Sequence, residues 1–258
     1  MSELTNPLSA TAPNSAGGIC LCMIVKDEQD VIERCLRSVR PFISSWCIVD
    51  TGSSDRTREL IRSALADLPG QLHDREWVNF SHNRNQAWEL ALENKPEYLM
   101  FLDADEELVV DGGLPKMDMD AYLISVWYNS SLENRFWMVK HDYPNRWVGE
   151  IHEDIPGFGQ IGKIIGTLIV SHPDGARAKN PLARSLGDIK VLQGLIDKSP
   201  EEPRLWYYLG ATYIAAGDHE SALKAFTKRA TMGGNERELM KAQAFVNTYA
   251  AQHQEVSA

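Results

Sequence analysis

The sequence predicts an α/β fold built on a mixed, mainly parallel sheet, followed by a small all-α region. Three observations carry that expectation. Over about the first hundred residues, short continuously apolar runs alternate with stretches of helical apolar spacing. Acidic and turn-forming residues stand where the apolar runs end. From about residue 178 onward the spacing is helical throughout.

The elements follow in order. Ile19–Val25 is continuously apolar and too short for a helix, which fits a strand buried on both faces. Lys26-Asp27-Glu28 ends it. Val31, Ile32, Cys35, Leu36 and Val39 then recur at helical spacing up to Pro41. Trp46–Asp50 reads as a second strand and Thr51–Ser54 as a turn. A helix carrying Leu60, Ile61 and Leu65 comes next, closed by Leu68-Pro69-Gly70. A short strand is expected at His73–Val78, a helix at Ser81–Asn94 and a third buried strand at Tyr98–Leu102. Right-handed crossovers between such strands give a Rossmann-like parallel sheet, with ligands outside the carboxyl ends of the strands. Lys26–Glu28, Asp50 and Asp103–Asp105 stand at those ends.

After Asp111-Gly112-Gly113, strands at 121–128, 134–141 and 161–170 have no helices between them, so the sheet gains antiparallel members. In the helical region, Trp206, Leu209, Gly210, Tyr213, Gly217, Ala222 and Phe226 fall at tetratricopeptide offsets, with Arg229 and Gly234 where alanine and proline are expected. One such repeat cannot bury its own apolar faces. Flanking helices near 181–198 and 236–250 must complete it, and a partner subunit is a further way to do so, which makes a homo-oligomer through the helical tail an open reading. The expected organisation is a flexible tail over 1–18, an α/β domain over 19–175, the helical region over 176–252 and a second tail over 253–258.

Composition narrows the function. Among 258 residues, 26 Lys and Arg against 36 Asp and Glu leave a formal charge of −10, which removes the general field that drives nonspecific binding to phosphate backbones. No apolar run reaches the ~20 residues of a membrane span, and the first residues lack a basic and apolar leader pattern. A cytoplasmic location is therefore expected. Cys20, Cys22, Cys35 and Cys47 lack metal-type spacing and read as buried reduced thiols.

Several residues carry chemistry. Leu102-Asp103-Ala104-Asp105 ends a strand with two carboxylates that a turn can direct at one ligand, one holding a divalent cation and the other a ribose hydroxyl or metal-bound water; the plain alternative is a solvated acidic turn. Asp50 can accept from a pyrimidine ring N–H, or is a helix-entry turn residue. Arg84 can fork onto a diphosphate, or is an exposed helix arginine. Trp147-Val-Gly-Glu-Ile-His-Glu-Asp154 is a proton-accepting cluster or an acidic loop. The aromatic residues Trp127, Tyr128, Phe136, Trp137, Tyr143 and Trp147 suit sugar stacking or core packing. Gly157-Phe-Gly-Gln-Ile-Gly162 fits a dinucleotide fingerprint, but it follows Pro156 rather than a first buried strand and precedes no helix, so it reads as a glycine-rich loop entering a strand.

Cys22–Glu28, Ile48–Asp55, Asn79–Asn85 and Leu102–Glu107, in that order and spacing, resemble family 2 glycosyltransferases of the GT-A fold, in particular those with a C-terminal tetratricopeptide region. The resemblance covers about residues 19–250. It implies that Val25, Lys26, Glu28 and Asp50 hold the base and ribose of a nucleoside-diphosphate sugar. Arg84 would approach the nucleotide or its phosphates, Asp103 would contact ribose or sugar, and Asp105 would bind Mn²⁺ or Mg²⁺. It implies inverting transfer with Glu153 as base and Asp154 as fallback, and His172 as a further metal ligand. His152, Trp147 and Trp127 would line the acceptor site. Relatives commonly read Lys-Asn-Glu-Glu where this chain has Lys26-Asp27-Glu28-Gln29. The acceptor stays open between a saccharide, a protein side chain and a hydroxymethylated DNA base; a cleft near Arg135, Lys140, Arg146 and Lys163 would be needed for the last. Two other readings are an inactive binding protein working through its helical tail and a nucleotidyltransferase.

Overall fold

In a computed structural model the structure describes residues 18–128 and 130–254. Eight strands form one sheet: β1 (Ile19–Val25), β2 (Ser45–Asp50), β3 (Gly70–Asp74), β4 (Tyr98–Phe101), β5 (Glu106–Val110), β6 (Ala121–Tyr128), β7 (Ser131–Lys140) and β8 (Ile161–Ser171), in the order β3-β2-β1-β4-β7-β6-β8-β5. The first four are parallel, with Met23 opposite Ile48 and Cys22 opposite Phe101. β7 pairs antiparallel with β4 and β6, and β5 antiparallel with β8. This is the mixed, mainly parallel arrangement expected of the GT-A fold.

The alternation of side chains along β1 separates two apolar layers. Leu21 and Met23 pack with Ile32, Cys35 and Leu36 of α1 (Ile32–Val39) and Ile61 of α2 (Thr57–Ala64). Cys20 and Cys22 face the other way, with Cys47, Val49 and the Ala87, Trp88 and Ala91 side of α3 (Phe80–Ala91). The four cysteines are free and buried, as expected. Burial pushes the Cys22 and Cys35 thiols well up and the Cys47 thiol up to about 12.

Two expectations need correction. The third parallel strand lies at Gly70–Asp74 rather than His73–Val78, and Trp77 and Val78 are exposed beyond it. Gly70 starts it because a side chain there would meet the Trp46 ring at 2.4 Å. β5 was not anticipated. Its opening residues are Glu106 and Glu107, and the buried Glu106 is matched by Arg135 and by the Asp103 amide.

The chain divides into two compact units after Ala176. The second contains α4 (Pro181–Lys198), α5 (Pro203–Ala215), α6 (His219–Ala230) and α7 (Glu236–Gln254). Gly210 on α5 lets the Phe226 ring approach to where a Cβ would be 2.7 Å away. Arg229, standing where the repeat has alanine, is fully buried and donates to the Met232, Gly233 and Asn235 carbonyls after α6. The tails expected over 1–18 and 253–258 lie outside the described residues, except for Gly18, which is buried, and residues 253 and 254, which end α7. Among the described residues no helix is long and apolar enough to cross a membrane.

Candidate active site

The polar residues gather at the carboxyl ends of β1, β2 and β4. Loop 26–29 and loop 51–57 are stitched together: the Asp27 and Glu28 amides donate to Ser53 Oγ (2.9 Å) and Thr57 Oγ1 (2.7 Å), and the Ser54 amide donates to Asp27 Oδ1 (2.7 Å). The Val25 carbonyl accepts from the Thr51 amide and hydroxyl. Lys26 is exposed.

Asp50 ends β2 and is completely buried. Its Oδ1 accepts from the Gly52 amide (2.9 Å), the Ser53 amide (2.8 Å) and Arg58 Nη2 (3.0 Å). Its Oδ2 is buried with no hydrogen-bond partner. Burial alone would raise its pKa; the bonds from Ser53, Arg58 and Gly52 outweigh that and leave it lowered, so it is a carboxylate. A buried ionised oxygen without a donor is costly.

Asp103 and Asp105 sit on the turn between β4 and β5, closed by the Glu106 amide donating to the Asp103 carbonyl (3.1 Å). The turn sends the two side chains to different neighbours. Asp103 Oδ1 accepts from Arg84 Nη2 at 2.7 Å, and Arg135 approaches Oδ2 at 3.7 Å while also pairing with Glu106. Asp105 is instead crowded by other acids. Its pKa is pushed up to about 7 by burial and by Asp103, Glu106 and Glu28. Glu28 Oε2 accepts from the Ala176 amide (3.0 Å), and a side chain on Gly175 would meet both Asp105 and Glu28 at about 3 Å. His172 donates its amide to the Asp105 carbonyl (3.0 Å) and places Nε2 3.2 Å from Glu107.

The other wall is residues 147–155. An antiparallel bridge between Val148 and Asp154 closes a tight loop in which Gly149 (φ +98°) and His152 (φ +53°) take left-handed conformations. Asn85 of α3 fixes the loop by bonding both backbone groups of Trp147, and the Phe80 amide donates to the Glu150 carbonyl. This geometry leaves His152 and Asp154 exposed and sends Glu153 inward, where Oε1 accepts from Arg84 Nε at 2.7 Å. Asp154 Oδ1 accepts from the Ile155 amide.

Arg84 is thus the residue on which both walls meet. Burial alone would lower its pKa; Asp103 and Glu153 reverse that and raise it. Its guanidinium carbon lies 5.1 Å over the Trp147 ring. Trp147 is buried against Phe101, with its indole N–H unpartnered. Trp127 is half-exposed on β6 opposite Leu132 and Val170, and none of the bonds at Arg84 involves it. Sequence reasoning gave Glu106 no role of its own and placed Arg135 only in a basic cleft. The two pair, Glu106 buried and Arg135 partly exposed, and Glu106 Oε2 accepts from the Asp103 amide (2.9 Å); the acidic run after Asp105 was the available signal. The glycine-rich segment from Gly157 enters β8 and no helix follows it.

The chain matches the family model described as Glycosyl transferase family 2 over residues 20–158, more than half its length. It belongs to that family. The chain is similar to the TPR repeat-containing protein of Synechococcus elongatus, at 42% identity over 94 residues, 36% of this chain and 22% of that one. The match spans about a fifth of that relative's length. Among solved structures, Staphylococcus aureus TarS 1–349 in complex with UDP-GlcNAc is 11% identical, with a TM-score of 0.48 over 89% of this chain and 88% of that chain. Glucosyl-3-phosphoglycerate synthase from Mycobacterium tuberculosis, in complex with Mn²⁺ and UDP-glucose, is 18% identical with a TM-score of 0.28 over 36% and 34% of the two chains.

Proposed function

We propose that this glycosyltransferase moves a sugar, with inversion, from a nucleoside diphosphate to a hydroxyl acceptor, with the donor at the carboxyl ends of β1, β2 and β4. The observation that carries the reading is Asp50 Oδ2, a fully buried carboxylate oxygen with no donor. A ring N–H, such as that of uracil, satisfies it; cytosine offers an acceptor at that position and does not. Val25, Lys26 and Glu28 border the same end of the sheet, Glu28 serving as a tie to Ala176.

A divalent cation fits the residues present. Among the described residues no three ligating side chains are already gathered, but Mn²⁺ and Mg²⁺ sit well on one or two protein ligands completed by water and phosphate. Asp105, crowded by three other acids, has the charge that a cation offsets, and it would hold the ion with His172 alongside. When bound, the ion neutralises the departing diphosphate.

Glu153 takes the acceptor hydroxyl proton, the acceptor oxygen bonds to the anomeric carbon, and the bond from that carbon to the diphosphate oxygen breaks on the opposite face with its electron pair leaving on the nucleotide. Glu153 is favoured over Asp154 because it faces the Asp103 side while Asp154 is exposed. His152 and Trp147 flank it in the loop. The acceptor is better read as a saccharide or protein side chain than as DNA. Arg135 pairs with Glu106, Lys140 with Asp120 and Arg146 with Glu89, so three of the four cations proposed for a basic cleft are already matched by acids.

The test is thermal stability against uridine, cytidine, guanosine and thymidine diphosphates and their sugars, with and without Mn²⁺. A ligand at 100 times its Kd adds ~2.7 kcal/mol. A metal-enhanced shift for a base with a ring N–H, and none for cytidine diphosphate, is expected; no shift with any of them overturns the reading.

A further inference from the structure

We propose that Arg84 is a positioning residue that holds the acceptor-side base Glu153 and the donor-side carboxylate Asp103 on one edge of its guanidinium, so that the two halves of the site are aligned by a single side chain. The inference rests on the proposed function and deepens it. Nε and Nη2 are the two donors of one edge of the planar group. Nε goes to Glu153 Oε1 and Nη2 to Asp103 Oδ1, both at 2.7 Å. Each carboxylate therefore arrives by a different route, Asp103 from the end of β4 and Glu153 from the loop closed by the Val148–Asp154 bridge, 50 residues further along the sequence. Without the cation between them the half-exposed Asp103 and the largely buried Glu153 would repel. With it, Glu153 has one oxygen fixed and the other left to receive a proton.

The surroundings hold the arginine as firmly as it holds the acids. Its side chain is 10% exposed, Trp147 lies under the guanidinium, and Asn85, the next residue of α3, ties the Trp147 backbone. The tie at Asn85 and the fork at Arg84 leave adjacent positions of one helix, so α3 sets the Trp147 end and the Glu153 end of the loop together. Arginine is required by geometry: a lysine ammonium keeps the charge but offers no pair of parallel N–H groups to two separate acids.

The test compares Arg84→Lys, Glu153→Gln and the double variant in the full chain, using the nucleotide and sugar nucleotide identified by the thermal panel. Binding of the nucleoside diphosphate with Mn²⁺ is measured by calorimetry, and sugar release to water by product analysis. For Arg84→Lys the expected result is nucleotide affinity within about threefold of the parent and hydrolysis lower by roughly 100-fold. The double variant should fall no further than Glu153→Gln alone, because both changes remove the same aligned base. Hydrolysis by Arg84→Lys near the parent rate overturns the proposal, as does a multiplicative loss in the double variant. A collapse of nucleotide affinity in Arg84→Lys also overturns it, and would put the arginine on the diphosphate. A parent chain that binds no nucleotide overturns the donor reading itself, which is a separate outcome. If Arg84→Lys does not fold, Arg84→Gln, which keeps an N–H donor and removes the charge, is substituted for it, and the same lack of further loss with Glu153→Gln is expected.

Discussion

Loops 26–29 and 51–57, the proposed donor wall, are joined to each other by hydrogen bonds between backbone and side chain and grow directly from strands buried on both faces. The opposite wall, residues 147–155, belongs to no strand pair longer than a single bridge and is fixed to α3 through Asn85, Phe80 and Arg84. One wall is therefore shaped before any ligand arrives, by the same residues that make the sheet. The other owes its shape to a few side-chain contacts, and those contacts include the proposed catalytic groups. A change on the first should be read in nucleotide affinity, and a change on the second in turnover.

Glu153→Gln is the sharpest way to separate the two. It should lower transfer and donor hydrolysis by roughly 100-fold or more while leaving nucleotide affinity within a few-fold, measured by sugar release and calorimetry side by side. Equal losses in both would erase the contrast. Asp50→Asn acts on the other wall: the amide keeps an acceptor for the Gly52 and Ser53 N–H groups but presents a donor where Oδ2 was. Affinity for uridine diphosphate should fall about 10- to 100-fold, with cytidine diphosphate gaining relative to it.

The same aspartate gives a pH signature. Its folded pKa lies below the ordinary 3.8, so its contribution to stability is present above that value and is lost as pH falls through the folded pKa. The acid limb of a plot of Tm against pH should flatten in Asp50→Asn. Next in size is Asp105→Asn, which removes one charge from a crowded acidic group. In the absence of divalent ion it should raise Tm by about 2–4 °C near neutral pH and abolish any Mn²⁺-dependent shift; an unchanged Mn²⁺ response would move the cation elsewhere. The smallest effect is expected at His152, whose left-handed backbone a β-branched residue resists. His152→Val should cost about 1 kcal/mol in urea unfolding and His152→Gly almost nothing.

The same contrast explains what could be read in advance. β1, β2 and β4 lie between two apolar layers, so their sequences are unbroken apolar runs, and the acids that follow them are visible as interruptions. β3 is an edge strand whose tight contact is made by a glycine and whose sole apolar side chain is Leu72, too little for an apolar run, whereas the apolar Trp77 and Val78 beyond it are exposed. β5 opens with glutamates, and the buried one, Glu106, is matched by Arg135, a residue 29 positions away. Asp103, Arg84 and Glu153 were each found singly, but their meeting depends on a loop closing 69 residues beyond the arginine, and no local pattern encodes a distance of that kind.

The four buried thiols have a use unrelated to catalysis. Cys20, Cys22 and Cys47 lie in one apolar layer and Cys35 in the other. All are held protonated by burial, so an alkylating reagent meets neither an accessible sulfur nor a thiolate while the sheet is closed. Labelling must wait for the strands to part. The mass of the modified chain over time is thus a built-in clock for opening of the β1–β2 core, and because the two layers carry different cysteines, peptide mapping would tell whether α1 or α3 lifts away first.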